Sequence, residues 1–180
     1  NQKKDSAGNF SKKTMYDLSL LFRQNRKLSG NSRWLRKIFL KENFDSMINY
    51  EATFINTNRA LINQKKPPLY IVYPQDGIFL SDFPIGFIKK QTDKNKKYIF
   101  FKKLQQFLLS EKIQRYINSK GFRNGTDATS QKLSHTVFNP KWGIQAHEKL
   151  KSIALPQPQA IKTAFSLYQS KLRKPSLTVY

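Results

Sequence analysis

The sequence predicts an α/β fold in which a mixed, at least partly parallel sheet is flanked by helices. Short apolar runs alternate with helical patterns along residues 44–121. The run LYIVY at residues 69–73 is apolar on both faces, as in a central strand that is covered on two sides. Between these runs, apolar positions recur at helical spacing, which indicates that helices connect the strands.

Helices are predicted where apolar side chains recur every three or four residues. The third helix begins at Glu51, because an acidic side chain stabilises the positive end of a helix. The fifth ends before Gly121, a typical residue just after a helix. The six predicted helices cover residues 14–28, 31–41, 51–63, 95–109, 111–120 and 159–172.

Four short apolar runs are predicted to be strands, at residues 44–50, 69–73, 85–88 and 176–180. Pro67 and Pro68 separate the third helix from the central run. That run is followed by Pro74-Gln75-Asp76-Gly77, a sequence typical of a turn because glycine readily adopts a positive φ.

The chain divides into four predicted segments. Residues 1–13 are a flexible lead-in, and residues 14–125 form the α/β region. Residues 126–158 are rich in polar residues and form an irregular surface segment. Residues 159–180 form a helix and a strand that lead to a missing C-terminal domain.

Basic residues dominate the charge of the chain. Lys and Arg number 33 against 11 Asp and Glu, for a net charge of +22. Such a charge attracts nucleic acid, anionic polymers, anionic lipid or an acidic ligand. A genome whose base composition favours lysine codons can produce the same imbalance. No apolar run is long enough to span a membrane, and the first residues lack the apolar region of a signal peptide.

Catalytic and metal-binding patterns are missing from the sequence. There is no cysteine, which excludes disulfides and thiolate chemistry. The two histidines, His135 and His147, lie in the irregular segment without a nucleophile elbow or a metal-ligand spacing. Asp76 and Asp82 share one loop, where carboxylates usually stabilise turns. We therefore expect no catalysis, no metal and no cofactor.

Binding of nucleic acid or of an anionic cell-surface polymer is the main alternative from composition. Residues 96–103, KKYIFFKK, mix aromatic and basic side chains that could stack on bases and contact phosphates. Helical periodicity instead predicts that residues 98–101 face the core and that the lysines face water. Because no recognised nucleic-acid-binding motif accompanies the charge, no specific nucleic-acid partner is expected.

Three segments resemble the second half of bacterial extracellular solute-binding proteins, of the subgroup fused to a von Willebrand factor type A-like domain. In the first, a strand ends in Tyr-Glu at a helix start; in the second, a strand ends in Tyr-Pro-x-Asp-Gly, followed by Ser-Asp-x-Pro. A pair of helices that ends in Gly-Phe-Arg forms the third. These segments are FDSMINYE (44–51), PLYIVYPQDGIFLSDFPIG (68–86) and FKKLQQFLLSEKIQRYINSKGFRN (101–124).

The resemblance implies an incomplete, two-lobed fold of the periplasmic-binding-protein type II kind, with residues 14–125 as the solute-binding lobe region and a hinge near residues 74–84. It further implies a small anionic or polar ligand held in the cleft between the lobes, without catalysis. Each implied contact also has a structural explanation, such as a helix-start acid, a turn glycine or a strand side chain, and Arg123 is expected to brace a lobe. The implied contact residues are Tyr50, Glu51, Tyr73, Asp76, Gly77, Ser81 and Asp82.

Location and partners also follow from the resemblance. It implies a place outside the cytoplasm, at the cell surface or in the periplasm, with a lipid anchor on a segment absent from this chain. A membrane transporter or a cell-surface component is the implied partner. Residues 167–180 resemble the segment that leads into the von Willebrand-like domain, so a structural spacer presenting that domain is a further alternative.

Overall fold

The computed structural model describes residues 10–42, 44–89, 95–124, 133–145 and 150–171. The chain forms two compact units, one of Asn1–Phe44 with Ala154–Tyr180 and one of Asp45–Ile153. The helices are α1 (Lys12–Gln24), α2 (Ser32–Lys41), α3 (Glu51–Asn63), α4 (Asn95–Leu109), α5 (Glu111–Ser119), a 3₁₀ turn (Pro140–Trp142) and α6 (Pro158–Lys171).

The first unit contains α1, α2 and α6. Helices α1 and α6 pack together, and the rings of Phe22 and Tyr168 meet edge to face with centroids 5.3 Å apart. Ser11 caps α1 by accepting a hydrogen bond from the Thr14 amide at 3.1 Å. Asn31 caps α2 in the same way, because its side-chain oxygen accepts hydrogen bonds from the amides of Arg33 and Trp34.

The second unit has its core around α3. Phe54 and Ile55 of this helix pack against buried side chains of residues 133–144, which belong to the predicted irregular surface segment. That segment folds inward because it carries large apolar residues whose burial favours folding. These buried side chains are Leu133, Val137, Phe138, Trp142 and Ile144.

The predicted α/β fold with a mixed sheet is wrong, and with it the periplasmic-binding-protein type II-like lobe. The described residues contain no strand, and their one β-bridge is a parallel pair between Ile78 and Ser152. Residues 44–50 and 85–88, both predicted strands, lie outside any strand. The predicted strand at 176–180 and residues 1–9 of the lead-in fall outside the described residues. The predicted hinge near residues 74–84 is described, and these residues form a turn and a loop.

The central run at residues 69–73 shows the physical reason for this difference. Its side chains alternate between half-buried and exposed, which indicates an extended backbone. Its backbone hydrogen bonds, however, go to a helix side chain and a loop. Leu69 donates its amide to Asn58 Oδ1 at 2.8 Å and accepts from Asn58 Nδ2 at 3.0 Å. The Ile71 amide donates to the Trp142 carbonyl at 2.9 Å. These partners satisfy backbone groups that a neighbouring strand would otherwise bind.

Only one face of this run is covered. Leu69 and Ile71 pack on the core, whereas Tyr70 and Val72 are 73% and 86% exposed. The loop approaches so closely at Gly143, which has a φ of +81°, that a Cβ there would lie 2.7 Å from the Ile71 carbonyl oxygen. A side chain at this position would separate the loop from the run.

The helix predictions are confirmed. All six predicted helices exist, and the bounds differ by a few residues at their ends. Helical spacing is a local property, because the bonding partners lie within the same segment. A strand, in contrast, needs a partner that its own residues do not specify. None of the described helices has the length and apolar character that a membrane span requires.

The core position of Phe138, which is fully buried, predicts a large loss of stability in Phe138→Ala. We expect a loss of about 3–5 kcal/mol in the free energy of unfolding of the second unit, from lost burial and the cavity left behind. Urea unfolding measures this. Phe100→Ala is the matched control, because Phe100 is 69% exposed. Equal losses in the two variants would contradict the assigned core.

Candidate functional site

Three parts of the chain meet at the start of α3. The Tyr73 hydroxyl, 22 residues away in sequence, donates a hydrogen bond to Glu51 Oε1. Arg123, 72 residues away, donates from Nε to Glu51 Oε2 at 2.8 Å and from Nη2 to Oε1 at 2.9 Å. We call Glu51, Tyr73 and Arg123 the Glu51 network. Each belongs to a different one of the three segments that carry the family resemblance.

Local structure fixes the position of each member. Glu51 is the first residue of α3, where a carboxylate is favoured by the exposed backbone amides and the helix dipole. Tyr73 ends the extended run, two residues beyond the Ile71 amide that is bound to Trp142. Arg123 follows the end of α5, where Asn118 Nδ2 donates to the Phe122 carbonyl at 2.7 Å.

The ion pair at the centre of the network is shielded from water. The side chains of Arg123 and Glu51 are 8% and 18% exposed. Arg123 Nη2 also donates to the Gln145 carbonyl at 3.0 Å, and its guanidinium lies over the Phe138 ring, 5.6 Å from the centroid. Removal of either partner would leave the other charge buried and uncompensated.

Both neighbours of the carboxylate have shifted pKa values. Burial and the negative charge of Glu51 raise the pKa of Tyr73 above its ordinary value of 10.0, because each disfavours the phenolate. Burial tends to lower the pKa of Arg123, but the hydrogen bond and charge of Glu51 outweigh this, so that pKa is raised. The network therefore holds a neutral phenol and a guanidinium cation.

The structure brings two of the seven expected contact residues together directly. Glu51 and Tyr73 share a hydrogen bond, and Tyr50, 55% exposed, lies beside Glu51 as the residue before α3. Gly77 is buried, with a φ of +121°, and a Cβ there would lie 2.8 Å from the Lys151 carbonyl oxygen. It shapes the turn and supports the neighbouring bond from the Ile78 amide to Lys151.

The remaining expected contacts, Asp76, Ser81 and Asp82, are exposed. Within the described residues, none of these side chains makes a hydrogen bond or an ion pair with the Glu51 network. Asp76 belongs to the turn that follows Tyr73, so it lies near the network in sequence. Ser81 and Asp82 lie farther from Tyr73 in sequence, in a loop.

Arg123 is the member of the network that is not among the seven expected contact residues. The expectation that it braces a lobe falls with the α/β fold, and in this structure Arg123 binds Glu51 and the Gln145 carbonyl. A signal for its location exists in the sequence, because the acidic Glu51 needs a cation if it is buried. The chain has 33 Lys and Arg residues against 11 Asp and Glu, so the sequence does not reveal which basic residue pairs with Glu51.

The described residues offer no candidate metal site. The described residues hold no group of three His, Asp or Glu side chains that could bind a metal. His135 is exposed, and His147 lies outside the described residues.

Breaking the ion pair should destabilise the second unit strongly. Arg123→Ala is expected to cost about 3–5 kcal/mol in the free energy of unfolding, because Glu51 stays buried without its cation. Arg115→Ala is the control, because the Arg115–Glu111 pair is 78% exposed on both sides and should contribute at most about 1 kcal/mol. Chemical denaturation compares them, and similar costs would contradict a shielded pair.

Tyr73 should make stability depend on alkaline pH. Its pKa is raised in the folded chain, so its contribution is complete below the ordinary value of 10.0 and is lost as pH rises further. Between about pH 9 and pH 11 the wild type should lose more stability than Tyr73→Phe. Urea unfolding across this range tests it. Tyr70→Phe, at a 73% exposed site, should follow the wild type. Parallel curves for all three proteins would refute the effect.

Comparison with known proteins adds no family to this picture. No protein-family model, curated protein or solved structure matches the chain. The resemblance to solute-binding proteins therefore rests on the sequence segments, and their convergence at the Glu51 network is a separate structural observation.

Proposed function

We propose that the chain is a non-catalytic solute-binding module that holds a small polar or anionic ligand beside the Glu51 network. The observation that carries this proposal is the convergence of the three resembling segments on one carboxylate. The two-lobed cleft implied by the resemblance is not part of the proposal.

The chemistry around Glu51 suits a ligand that accepts hydrogen bonds. Arg123 has five N–H donors, of which three bind Glu51 and Gln145. The first backbone amides of α3 add partial positive charge at the same place. Tyr50 supplies an exposed ring and hydroxyl that can contact a small molecule on one side.

The same groups give little support to catalysis. Glu51 is paired with Arg123, and Tyr73 keeps its proton, because its pKa is raised and its hydroxyl donates a hydrogen bond to the carboxylate, so neither is a ready base. A general base needs a free lone pair and a pKa near the working pH. Recognition is therefore the role that we propose for the site.

Placement outside the cytoplasm and delivery of the ligand to a transporter or cell-surface component belong to this proposal. They are supported by the resemblance alone. The excess of positive charge, +22, would concentrate anionic solutes near such a module. A structural spacer that presents another domain would share the stability of the network but would bind no small ligand.

A thermal-shift screen of the chain against inorganic anions, acidic metabolites, sugars and amino acids tests the proposal. A ligand at about a hundred times its dissociation constant should stabilise the folded state by about 2.7 kcal/mol. Tyr50→Ala should weaken that shift, because the exposed ring is lost while the network stays intact.

Tyr70→Ala is the matched control, since Tyr70 is also an exposed tyrosine of the second unit. It should leave the shift unchanged. If no compound in the screen stabilises the folded chain, the solute-binding role is rejected and the spacer is favoured. Equal weakening in the two variants would place the ligand away from α3.

A further inference from the structure

Helix α4 carries a row of alternating basic and aromatic side chains along one face. The row runs Lys96, Phe100, Lys103, Phe107, at positions i, i+4, i+7 and i+11 of the helix. This spacing places all four side chains on one side, because a helix turns once in 3.6 residues. We call these four residues the α4 ridge.

The aromatic members of the α4 ridge are exposed. Phe100 and Phe107 are 69% and 58% exposed, and the adjoining Leu104 is 39% exposed. The helix has no buried residue. The expectation that residues 98–101 form a core is wrong for Tyr98, Ile99 and Phe100, which face solvent, and only Phe101 is half-buried. This exposure leaves a large apolar surface without a described partner in the second unit.

A neighbouring loop extends the apolar surface. Phe87 packs on Tyr98 and Phe101, with ring centroids 5.5 and 5.4 Å away, which fixes the loop beside α4. The next residue, Ile88, is 85% exposed. Apolar side chains from two elements therefore stand side by side, as in interaction surfaces rather than in scattered surface residues.

We propose that the α4 ridge docks on the surface of an anionic lipid bilayer. Charge complementarity carries the choice of partner. Helix α4 contains four lysines and no acidic residue, and the whole chain has a net charge of +22. Lysines near a negatively charged bilayer are attracted to its headgroups, while apolar side chains between them enter the interfacial region.

The exposed apolar side chains favour lipid over single-stranded nucleic acid. A surface that binds single-stranded nucleic acid uses aromatic side chains on which the nucleobases stack, together with basic side chains that contact the phosphates. Here the exposed rings of Phe100 and Phe107 are joined by exposed aliphatic side chains at Ile88, Ile99 and Leu104, which offer no ring for stacking. Aliphatic groups are well suited to the boundary between headgroups and acyl chains. This inference does not depend on the solute-binding proposal.

Vesicle binding of the full chain tests the proposal, with phosphatidylcholine vesicles compared with vesicles that also contain phosphatidylglycerol. The double variant Phe100→Ala with Lys103→Gln should weaken binding to anionic vesicles about tenfold, because one lipid-facing ring and one interfacial charge are lost. The control is Lys162→Gln with Phe165→Ala on α6. It has the same spacing, removes the same charge, and Phe165 is 58% exposed.

Weaker binding to anionic vesicles in the α4 variant alone supports docking through the α4 ridge. Equal loss in both variants would reduce the effect to overall charge and overturn the proposal, as would the absence of any binding to anionic vesicles. A single-stranded oligonucleotide bound through the α4 ridge, with no vesicle binding, would also overturn it and assign the surface to nucleic acid.

A fluorescent label measures insertion independently of affinity. The chain has no cysteine, so Ile88→Cys accepts one environment-sensitive dye beside α4. Anionic vesicles should shift its emission to the blue, as apolar surroundings do. The same dye on Phe165→Cys should not shift. A shift at Phe165 and none at Ile88 would contradict docking through α4.

Discussion

The second unit depends on the ion pair between Glu51 and Arg123. Two charges that are 18% and 8% exposed are stable together only because each compensates the other. The pair joins the start of α3 to the segment after α5, and through Gln145 it reaches the loop that supplies the core. Tyr73 adds the extended run to the same point. One carboxylate thus connects four parts of the unit that are distant in sequence.

This constraint explains how an unpaired extended run can be ordered. Residues 69–73 have no neighbouring strand among the described residues, yet their backbone is held by Asn58 and Trp142 and their end by Glu51. The exposed Tyr70 and Val72 show that the other face gains nothing from burial. Helix α4 likewise leaves apolar side chains exposed, among them Phe100 and Phe107. The apolar side chains of the described residues are therefore divided between a small core and exposed faces.

The sequence predicted the helices well and the sheet badly, for a physical reason. Helix bonds are local, so the spacing of Trp34, Leu35 and Ile38 was enough to place α2. The run at 69–73 is equally apolar, but its partner is an Asn side chain on a helix, which no periodicity indicates. In the site, Glu51 and Tyr73 are both among the predicted contact residues. Their hydrogen bond to each other could not be predicted, because residue types do not specify which distant residues meet. Arg123 was given a structural role, and its pairing with Glu51 needed the fold.

The central claim is that Arg123 is held by Glu51 in a shielded pair. Nuclear magnetic resonance of the arginine side-chain Nε–H groups measures this directly, because a bound and shielded proton exchanges slowly with water. We expect strong protection of the Arg123 Nε–H in the wild type and loss of that protection in Glu51→Gln. Exchange of Arg123 as fast as that of the exposed Arg115, or protection unchanged in Glu51→Gln, would contradict it.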